Sequence, residues 1–507
     1  ALAWRASRRP PLVPSGAPQL ADALALRRTA RRTWRFFETF VTPAEHMLPP
    51  DNFQENPKPV VAHRTSPTNV GLYLLSAVEA RDFGWAGALQ TCERLEATFV
   101  TLQTLERFRG HFYNWYDTRT TRVLAPAYVS SVDSGNLAGH LIALANACEE
   151  WMGAPLPADW TEGASDALAL ARESASAKPA AQGPQGQRLQ SLLDDIDAGL
   201  QGPADLFLPV LQRLTDKAVE EARTLTPKAQ AESDDLLFWT EALRQRVEQQ
   251  RLDAAAFAAA AHPLDARWQV LAQQARALAL GMDFAFLLDP ERKLLSIGYA
   301  AVENVLDANC YDLLASEARL ASLFAIAKGD VPTRHWFRLG RSAIPVGHGS
   351  ALVSWSGSMF EYLMPSLVMR APAGSLLEQT NRLIVQHQVA YGRLMGVPWG
   401  ISESAYNARD LEFTYQYSNF GVPGLGLKRG LAEDMVIAPY ATGLATMVDA
   451  ERAQRNFERL RQFGALGRHE CRCEPLPLLD LCRLALDANH GTIATHARCH
   501  LVCEQTQ

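Results

Sequence analysis

Apolar positions recur at helical spacing along most of the chain. In the N-terminal part this periodicity predicts helices over 21–47, Val70–Ala80, Trp85–Phe99 and from Asp133 through Glu150. Further helices are predicted after a long loop-rich stretch, over Tyr311–Lys328, Ser356–Met369, Ser375–Tyr391, Ala438–Val448 and Ala450–Phe463. Paired helices separated by long functional loops are typical of an α/α-barrel, in which loops at one end line a cleft.

Residues 153–280 have a different character. They are rich in Ala, Gln, Arg and Glu, with leucines at helical spacing and few aromatic residues, which predicts a helical insertion. A stretch rich in Pro, Gly and Ala near 174–187 predicts a linker within it. From Asp283 onward turn and strand signals alternate around Asp289-Pro290, which predicts a short β-hairpin.

The composition is that of an ordinary soluble globular protein. The chain has 507 residues, of which 48% are hydrophobic and 21% charged, and a net charge of −6. The negative charge argues against a nucleic-acid partner, which requires a basic face. No run of about 20 apolar residues occurs, so no membrane span is predicted within the chain. The glycines at 421–426 do not match a nucleotide-binding loop, and no paired-histidine metal motif occurs, so neither a cofactor nor a metal is predicted.

The stretch Ser354–Gly430 concentrates the candidate chemistry. Carboxylates stand next to aromatic rings there, with Glu361 beside Tyr362 and Glu403 three residues before Tyr406. Glycines and prolines hold these groups in turns, and serine hydroxyls lie between them. A pyranose has apolar C–H faces that lie against aromatic rings and hydroxyls that need donors and acceptors. The stretch therefore favours a sugar-binding groove, and a carboxylate pair in such a groove is what glycosyl chemistry needs.

Several long strings resemble the central glycoamylase-like module of the cyclic β-1,2-glucan synthases, namely SVDSGNLAGHL, YDLLASEARLAS, SWSGSMFEYLMP, GVPWGISESAYN and YQYSNFGVPGLGLKRGL, with PPDNFQENPKPVVAHRTSPTN and HFYNWYDTRT in the N-terminal half. The resemblance covers nearly everything from about 30 to 467. It implies a mainly α fold, an (α/α)6 barrel, and a transglycosylase that closes linear β-1,2-glucan into a ring. It also implies a parent enzyme of the bacterial inner membrane, with this module on the cytoplasmic side between glycosyltransferase and phosphorylase-like modules.

With the resemblance, the chain is predicted to have five parts. These are an extended or disordered segment (1–29), the first half of the barrel (30–152), the helical insertion (153–280), the second half of the barrel with the catalytic loops (281–467) and an atypical tail (468–507).

Three glutamates compete for the catalytic roles. The resemblance implies Glu317 as nucleophile and Glu403 as general acid/base of a retaining mechanism, with Glu361 holding sugar hydroxyls. Structural alternatives stay open, because Glu317 could be a buried acid paired with Arg319, Glu403 a solvent-facing loop acid, and Glu361 a favourable helix N-terminal residue. The remaining candidate substrate-binding residues are Trp355, Trp399, Tyr406, Asp410, Tyr415, Tyr417, Asp133, Asn136 and Arg319.

Two other functions compete with ring closure. An endo-β-1,2-glucanase of the same fold would pass the glycosyl intermediate to water, and the sequence does not separate it from a transglycosylase. A non-catalytic glucan-holding module would bind the polysaccharide without converting it. An inverting phosphorylase is disfavoured, because no convincing phosphate cradle is found.

The last stretch departs from the resemblance after GALGRHE. It holds five cysteines and three histidines, but CxC with Cys482 isolated is not the paired CxxC spacing of zinc modules. The tail is interpreted as translated out of frame, so that the last barrel helices would be missing. The other cysteines, Cys92, Cys148 and Cys310, lie in apolar runs and are predicted to be buried thiols of a reducing compartment.

Overall fold

The computed structural model describes residues 20–465 with gaps at 56–57, 158, 203, 228–233, 261 and 412. The predicted tail at 468–507 and the first 19 residues lie outside the described part. The α-helices of this part are α1 (Leu20–Phe40), α2 (Pro67–Asp82), α3 (Ala88–Thr104), α4 (Ser131–Trp151), α5 (Trp160–Ser176), α6 (Pro184–Leu200), α7 (Ala204–Thr224), α8 (Asp235–Ala259), α9 (Asp265–Gly281), α10 (Arg319–Lys328), α11 (Arg334–Arg338), α12 (Met359–Leu363), α13 (Leu376–Met395), α14 (Pro439–Ala445) and α15 (Ala450–Gln462).

Strands in the described part are short and pair in small antiparallel sheets. They are β1 (Phe53–Gln54), β2 (Val60–Val61), β3 (Arg64–Thr65), β4 (Arg107–Phe108), β5 (His111–Phe112), β6 (Tyr116–Asp117), β7 (Tyr128–Ser130), β8 (Gly298–Ala300), β9 (Val305–Leu306), β10 (Ala343–Val346), β11 (Gly349–Leu352), β12 (Ser404–Arg409) and β13 (Tyr415–Ser418). Consecutive hairpins are β1–β2, β4–β5, β10–β11 and β12–β13, while β3 pairs with β6 and β7–β8–β9 form a three-stranded sheet.

The chain divides into two compact units. Among the described residues, the first comprises 20–76, 98–147 and 272–465, and the second comprises 77–97 and 148–271. The predicted helical insertion, 153–280, overlaps the second unit. In that unit α5 packs against α8, α6 against α7 and α7 against α8. Apolar faces of these helices meet in a core that includes Trp160, Leu193 and Trp239. Burying such amphipathic faces is what stabilises helices of this length.

Several predicted elements differ from the observed ones. The helix expected over Tyr311–Lys328 begins at Arg319, because residues 311–318 form turns and bridges instead. The hairpin expected around Asp289-Pro290 is a turn closed by a single bridge between Leu288 and Leu295, and β8 pairs with β7 and β9 rather than within it. Residues 20–29 are helical as part of α1, in line with the helix predicted over 21–47, although the predicted division into five parts placed them in the extended or disordered segment.

In the described part no helix is both long and apolar enough to cross a membrane. Cys92 and Cys148 are buried free thiols, as predicted, whereas Cys310 is half-buried.

Candidate active site

Glu317 lies in the turn that immediately precedes α10, not on a helix as expected. The buried side chain of Arg319, which is 3% exposed, holds this turn in place. The Arg319 guanidinium donates to the carbonyl oxygens of Ser316 (3.0 Å), Glu361 (3.0 Å) and Tyr362 (2.6 Å). These bonds tie the Glu317 turn to helix α12. The sequence predicts Arg319 as a substrate-binding residue. In the structure, however, its guanidinium donates these hydrogen bonds to backbone carbonyl oxygens.

The loop that carries Glu403 is held by side chains from three helices. Gln388 of α13 bonds both the N–H (2.9 Å) and the carbonyl (2.8 Å) of Ile401, and Asn456 of α15 bonds both groups of Trp399 at 3.1 and 2.8 Å. Tyr440 of α14 donates to the carbonyl oxygen of Glu403 at 2.7 Å. Because these bonds fix the backbone at residues 399, 401 and 403, Glu403 is presented from a rigid segment, which catalytic groups require.

Glu361 lies in the first turn of α12, where Ser358 caps the helix by accepting from the Glu361 N–H at 3.3 Å. Its carboxylate accepts from the Ser356 N–H at 3.0 Å. The backbone of this cap packs directly against the later glycine-rich block, and a Cβ added at Gly421 would lie 1.8 Å from the Ser356 carbonyl oxygen. The glycine therefore permits a close backbone approach that any other residue would prevent.

The hairpin β12–β13 follows Glu403 directly, where the sequence predicts a loop. Its Tyr417 hydroxyl donates to Glu403 Oε2 at 3.0 Å. Gln54 of β1 joins the hairpin from the other side, since its amide donates to the Phe413 carbonyl (3.1 Å) and accepts from the Tyr415 N–H (3.0 Å). The Gln54 side chain thus makes the pair of backbone hydrogen bonds that a neighbouring strand would make, and it connects the β1–β2 hairpin to β12–β13. A period-two pattern in TYQYS is the sequence signal for the missed strand.

These elements surround one cavity of about 1250 Å³ within the first unit. Glu317 and Glu403 both line it. Of the predicted binding residues, Asp133, Tyr406, Asp410, Tyr415 and Tyr417 line it as well. This volume is larger than a single small ligand needs, so the cavity can hold a ligand made of several linked groups.

The electrostatics of the cavity centre on its carboxylates. Removal from water, followed by the charges of Glu403, Asp133 and Glu361, raises the pKa of Glu317 well above its ordinary value. Removal from water and the charge of Glu361 raise the pKa of Glu403 to about 7, against the opposing hydrogen bond from Tyr417. Both carboxyls therefore hold a proton to higher pH than an ordinary glutamate does.

A network of polar side chains lies beneath Glu317. Asp133, in the first turn of α4, accepts from Thr68 Oγ1 at 2.6 Å, and Thr68 accepts from Asn136 Nδ2 at 3.1 Å. Asn136 in turn hydrogen-bonds Glu317, which works against the rise in the Glu317 pKa. Burial raises the pKa of Asp133, against the hydrogen bonds from Ser130 and Thr68. Asn136 thus contacts the predicted catalytic residue although it does not line the cavity.

Three other predicted binding residues lie outside the cavity lining. Trp399 is 4% exposed and packs in the core near Gly392, so its ring has no free face. Trp355 is 58% exposed but is not part of the cavity wall. Glu361 does not line the cavity, but its charge contributes to the raised pKa of Glu317.

The sequence reasoning missed other residues of the cavity. Trp115, Arg64 and Gln54 line it, and they belong to the strings HFYNWYDTRT and PPDNFQENPKPVVAHRTSPTN, which carry the resemblance in the N-terminal half. Tyr311 was also missed. Burial and the charges of Glu317 and Asp133 raise its pKa well above the ordinary value, which indicates that its phenol lies near both acids.

Comparison with known sequences confirms the predicted resemblance. The chain is 49% identical over 494 residues, or 92% of its length, to the cyclic β-(1,2)-glucan synthase NdvB of Rhizobium meliloti (strain 1021). It spans 17% of the length of that relative. The family model named Glycoamylase matches residues 309–471, which include both Glu317 and Glu403.

Comparison with solved structures confirms the predicted fold class, mainly α and of the (α/α)6 type. An endo-β-1,2-glucanase from Chitinophaga pinensis superposes with a TM-score of 0.54 at 11% identity and covers 96% of each chain. An endo-β-1,2-glucanase from Talaromyces funiculosus gives a TM-score of 0.53 at 10% identity, covering 93% of this chain and 85% of that one. At these sequence identities, the structural similarity supports a shared fold and nothing further.

Proposed function

We propose that this chain is a transglycosylase that acts on linear β-1,2-glucan and closes it into a cyclic product. The observation that carries the proposal is that Glu317 and Glu403 line one cavity and that each has a raised pKa. The 49% identity to a protein named cyclic β-(1,2)-glucan synthase supports the choice of substrate and product.

The hydrogen bond from Tyr417 to Glu403 supports a division of labour opposite to the one expected from the resemblance. A general acid must carry a proton at neutral pH, and burial together with the charges of the neighbouring carboxylates raises the pKa of Glu317 well above its ordinary value. A nucleophile must be ionised, and Tyr417 donates a hydrogen bond that favours the ionised form of Glu403. We therefore assign Glu317 as the general acid/base and Glu403 as the nucleophile.

In the first step the Glu403 carboxylate attacks the anomeric carbon of a glucosyl residue. The glycosidic C–O bond breaks, and the departing oxygen takes the proton of Glu317. A covalent glycosyl-enzyme ester is left on Glu403. In the second step the ionised Glu317 removes a proton from the 2-hydroxyl at the non-reducing end of the same chain. That oxygen attacks the anomeric carbon, the ester bond to Glu403 breaks, and the β configuration is retained.

The experiment is incubation of the 507-residue chain with linear β-1,2-glucan, followed by mass spectrometry and a reducing-end assay. Ring closure by transfer gives products one water lighter than linear chains of the same length, without a net gain of reducing ends. Short linear oligosaccharides with new reducing ends would identify a hydrolase instead. Binding without any conversion would identify a non-catalytic glucan-binding module.

The two glutamates are tested by single substitution. Glu317→Gln and Glu403→Gln are each expected to lower kcat by about a thousandfold or more while glucan binding persists, because each removes a group that acts in the reaction itself. Full activity of either variant would remove that residue from the mechanism.

A further inference from the structure

One part of the cavity wall has no role in the chemistry described above. It is formed by Asp51, Arg64, Asn69 and Trp115, which all line the cavity and are here called the Trp115 wall. Asp51 precedes β1, Arg64 begins β3, Asn69 is in the first turn of α2, and Trp115 precedes β6. Neither the sequence reasoning nor the comparisons assign these residues a function.

Hydrogen bonds to Asp51 fix the polar groups of this wall. Arg64 donates to Asp51 Oδ2 from Nε (3.0 Å) and Nη2 (2.9 Å), and Asn69 Nδ2 donates to Asp51 Oδ1 at 3.2 Å. The guanidinium of Arg64 lies over the Trp115 ring at 4.8 Å from its centroid. Asp51 thus positions the other members, and its charge compensates that of Arg64.

The wall keeps hydrogen-bonding capacity that the described part of the protein does not use. Arg64 Nη1 and Asn69 Oδ1 have no hydrogen-bond partner within the described residues. Both belong to side chains whose other atoms are already fixed, so little conformational entropy would be lost when they bind a ligand. One free donor and one free acceptor beside an aromatic ring match what a sugar hydroxyl face requires.

Side-chain hydrogen bonds connect this wall to the catalytic centre. With its amide oriented to satisfy both neighbours, Asn114 accepts from Trp115 Nε1 (3.2 Å) and donates to Asp133 Oδ2 (3.0 Å). Asp133 then continues through Thr68 and Asn136 toward Glu317. Because the indole N–H is already bonded, the ring itself is what Trp115 offers to a ligand.

The charge pattern selects the kind of ligand. Asp51 neutralises Arg64, and Glu317, Glu403 and Asp133 line the same cavity, so an anionic ligand such as a phosphate or a sugar phosphate is disfavoured. A neutral polyhydroxylated ring faces no such repulsion, and its C–H face packs against aromatic carbon.

We infer that the Trp115 wall is a glucosyl-binding subsite, which holds a residue of the glucan chain other than the one at the glutamates. This inference rests on the proposed function. In this arrangement the pyranose lies against the part of the Trp115 ring that the Arg64 guanidinium leaves uncovered, while Arg64 donates to one hydroxyl and Asn69 accepts from another. A subsite away from the reacting bond retains a long chain during transfer and contributes nothing to a ligand too short to reach it.

The test measures binding of a series of β-1,2-gluco-oligosaccharides by isothermal titration calorimetry to chains that carry Glu317→Gln, with and without Trp115→Ala or Arg64→Ala. Each added substitution is expected to raise Kd for the long oligosaccharides about tenfold, which equals about 1.4 kcal/mol. Kd for the disaccharide is expected to stay the same. Trp115→Phe, which keeps an aromatic face, is expected to recover most of the affinity. Phe337→Ala and Arg370→Ala, exposed residues outside the cavity lining, are the matched controls.

A turnover measurement on otherwise wild-type chains gives a second readout. Trp115→Ala is expected to raise KM for long glucan about tenfold with a much smaller change in kcat, because binding remote from the reacting bond is lost. Equal affinity of wild-type and both substituted chains for long oligosaccharides would overturn the subsite. Equal weakening for the disaccharide and for long chains would also overturn it, because it would point to a structural role.

The outcomes separate this inference from the proposed function. A wild-type chain that neither binds nor converts β-1,2-glucan contradicts both. A wild-type chain that converts glucan, with Trp115 and Arg64 variants indistinguishable from it, contradicts the subsite alone. If Trp115→Ala loses its cooperative thermal transition, Arg64→Ala decides, since Arg64 is on the surface and its truncation leaves no cavity in a core.

Discussion

The hydrogen bond between Tyr417 and Glu403 offers a test of which glutamate is the nucleophile. Tyr417→Phe removes the hydroxyl that donates to Glu403 at 3.0 Å and keeps the ring. The bond favours the ionised carboxylate, so its loss raises the Glu403 pKa. A hydrogen bond to a charged group contributes about 1.5–3 kcal/mol, and Tyr417 is 48% exposed, so the lower end applies. The pKa of Glu403, about 7 in the unsubstituted chain, is expected to rise by about one pH unit.

The assay is the pH profile of kcat/KM for linear β-1,2-glucan, read from product formation. If Glu403 is the nucleophile, activity requires its ionised form. The acid limb of the profile then moves upward by about one pH unit, and activity well below the midpoint falls about tenfold, while the alkaline limb stays in place. Tyr406→Phe is the matched control, because its hydroxyl makes no hydrogen bond within the described residues and both limbs are expected to stay.

Two results would refute the reasoning. If Glu403 is the general acid, the protonated form is required, and Tyr417→Phe would move the alkaline limb upward and leave the acid limb unchanged. That result would restore the assignment implied by the resemblance. If neither limb moves, the hydrogen bond does not control the ionisation of Glu403, and the electrostatic argument for its role fails.

Other predictions concern stability. Because the folded-state pKa of Glu317 lies well above 4.5, wild-type stability falls by about 1.4 kcal/mol for each pH unit between 4.5 and the raised pKa; Glu317→Gln should therefore raise Tm by a margin that widens with pH, and a constant margin would contradict this. Asn456→Ala leaves the buried N–H and carbonyl of Trp399 without partners, so the free energy of unfolding in urea should fall by about 3 kcal/mol. Exposed Arg455→Ala on the same helix should change it by less than about 0.5 kcal/mol. Gly421→Ala, which places a methyl 1.8 Å from a carbonyl oxygen, should yield little folded protein by circular dichroism.

Local sequence patterns determined the helical character of this protein and many of its elements. Periodic apolar residues predicted α13 and α15 to within a few residues, because an amphipathic helix carries its own signal at 3.6-residue spacing. The same reasoning failed for residues 311–318. Their apolar side chains fit a helix, but in the structure the Leu314 N–H donates to the Gly340 carbonyl oxygen, 26 positions away, and the Gly340 N–H donates to the Asp312 carbonyl oxygen. Periodicity does not reveal such a non-local pairing.

The candidate acids could be named from the sequence, because Glu317 and Glu403 stand in distinctive strings of turn and aromatic residues. Their meeting in one cavity could not, since 86 positions separate them and their relative placement depends on how the helices pack. The raised pKa of each carboxyl likewise depends on which charges and hydrogen bonds surround it. Residues next to them in the chain do not supply most of these neighbours.

The aromatic residues illustrate the same division. Trp355, Trp399 and Trp115 all stand in loops beside polar residues, and the sequence singled out the first two as sugar platforms. In the folded chain Trp399 is in the core, Trp355 faces solvent, and Trp115 lines the cavity. Residue type fixes what a side chain can contact, so the sequence by itself determined the chemistry available to this protein. Which face of each ring is left open is a property of long-range packing, and only the tertiary structure decided it.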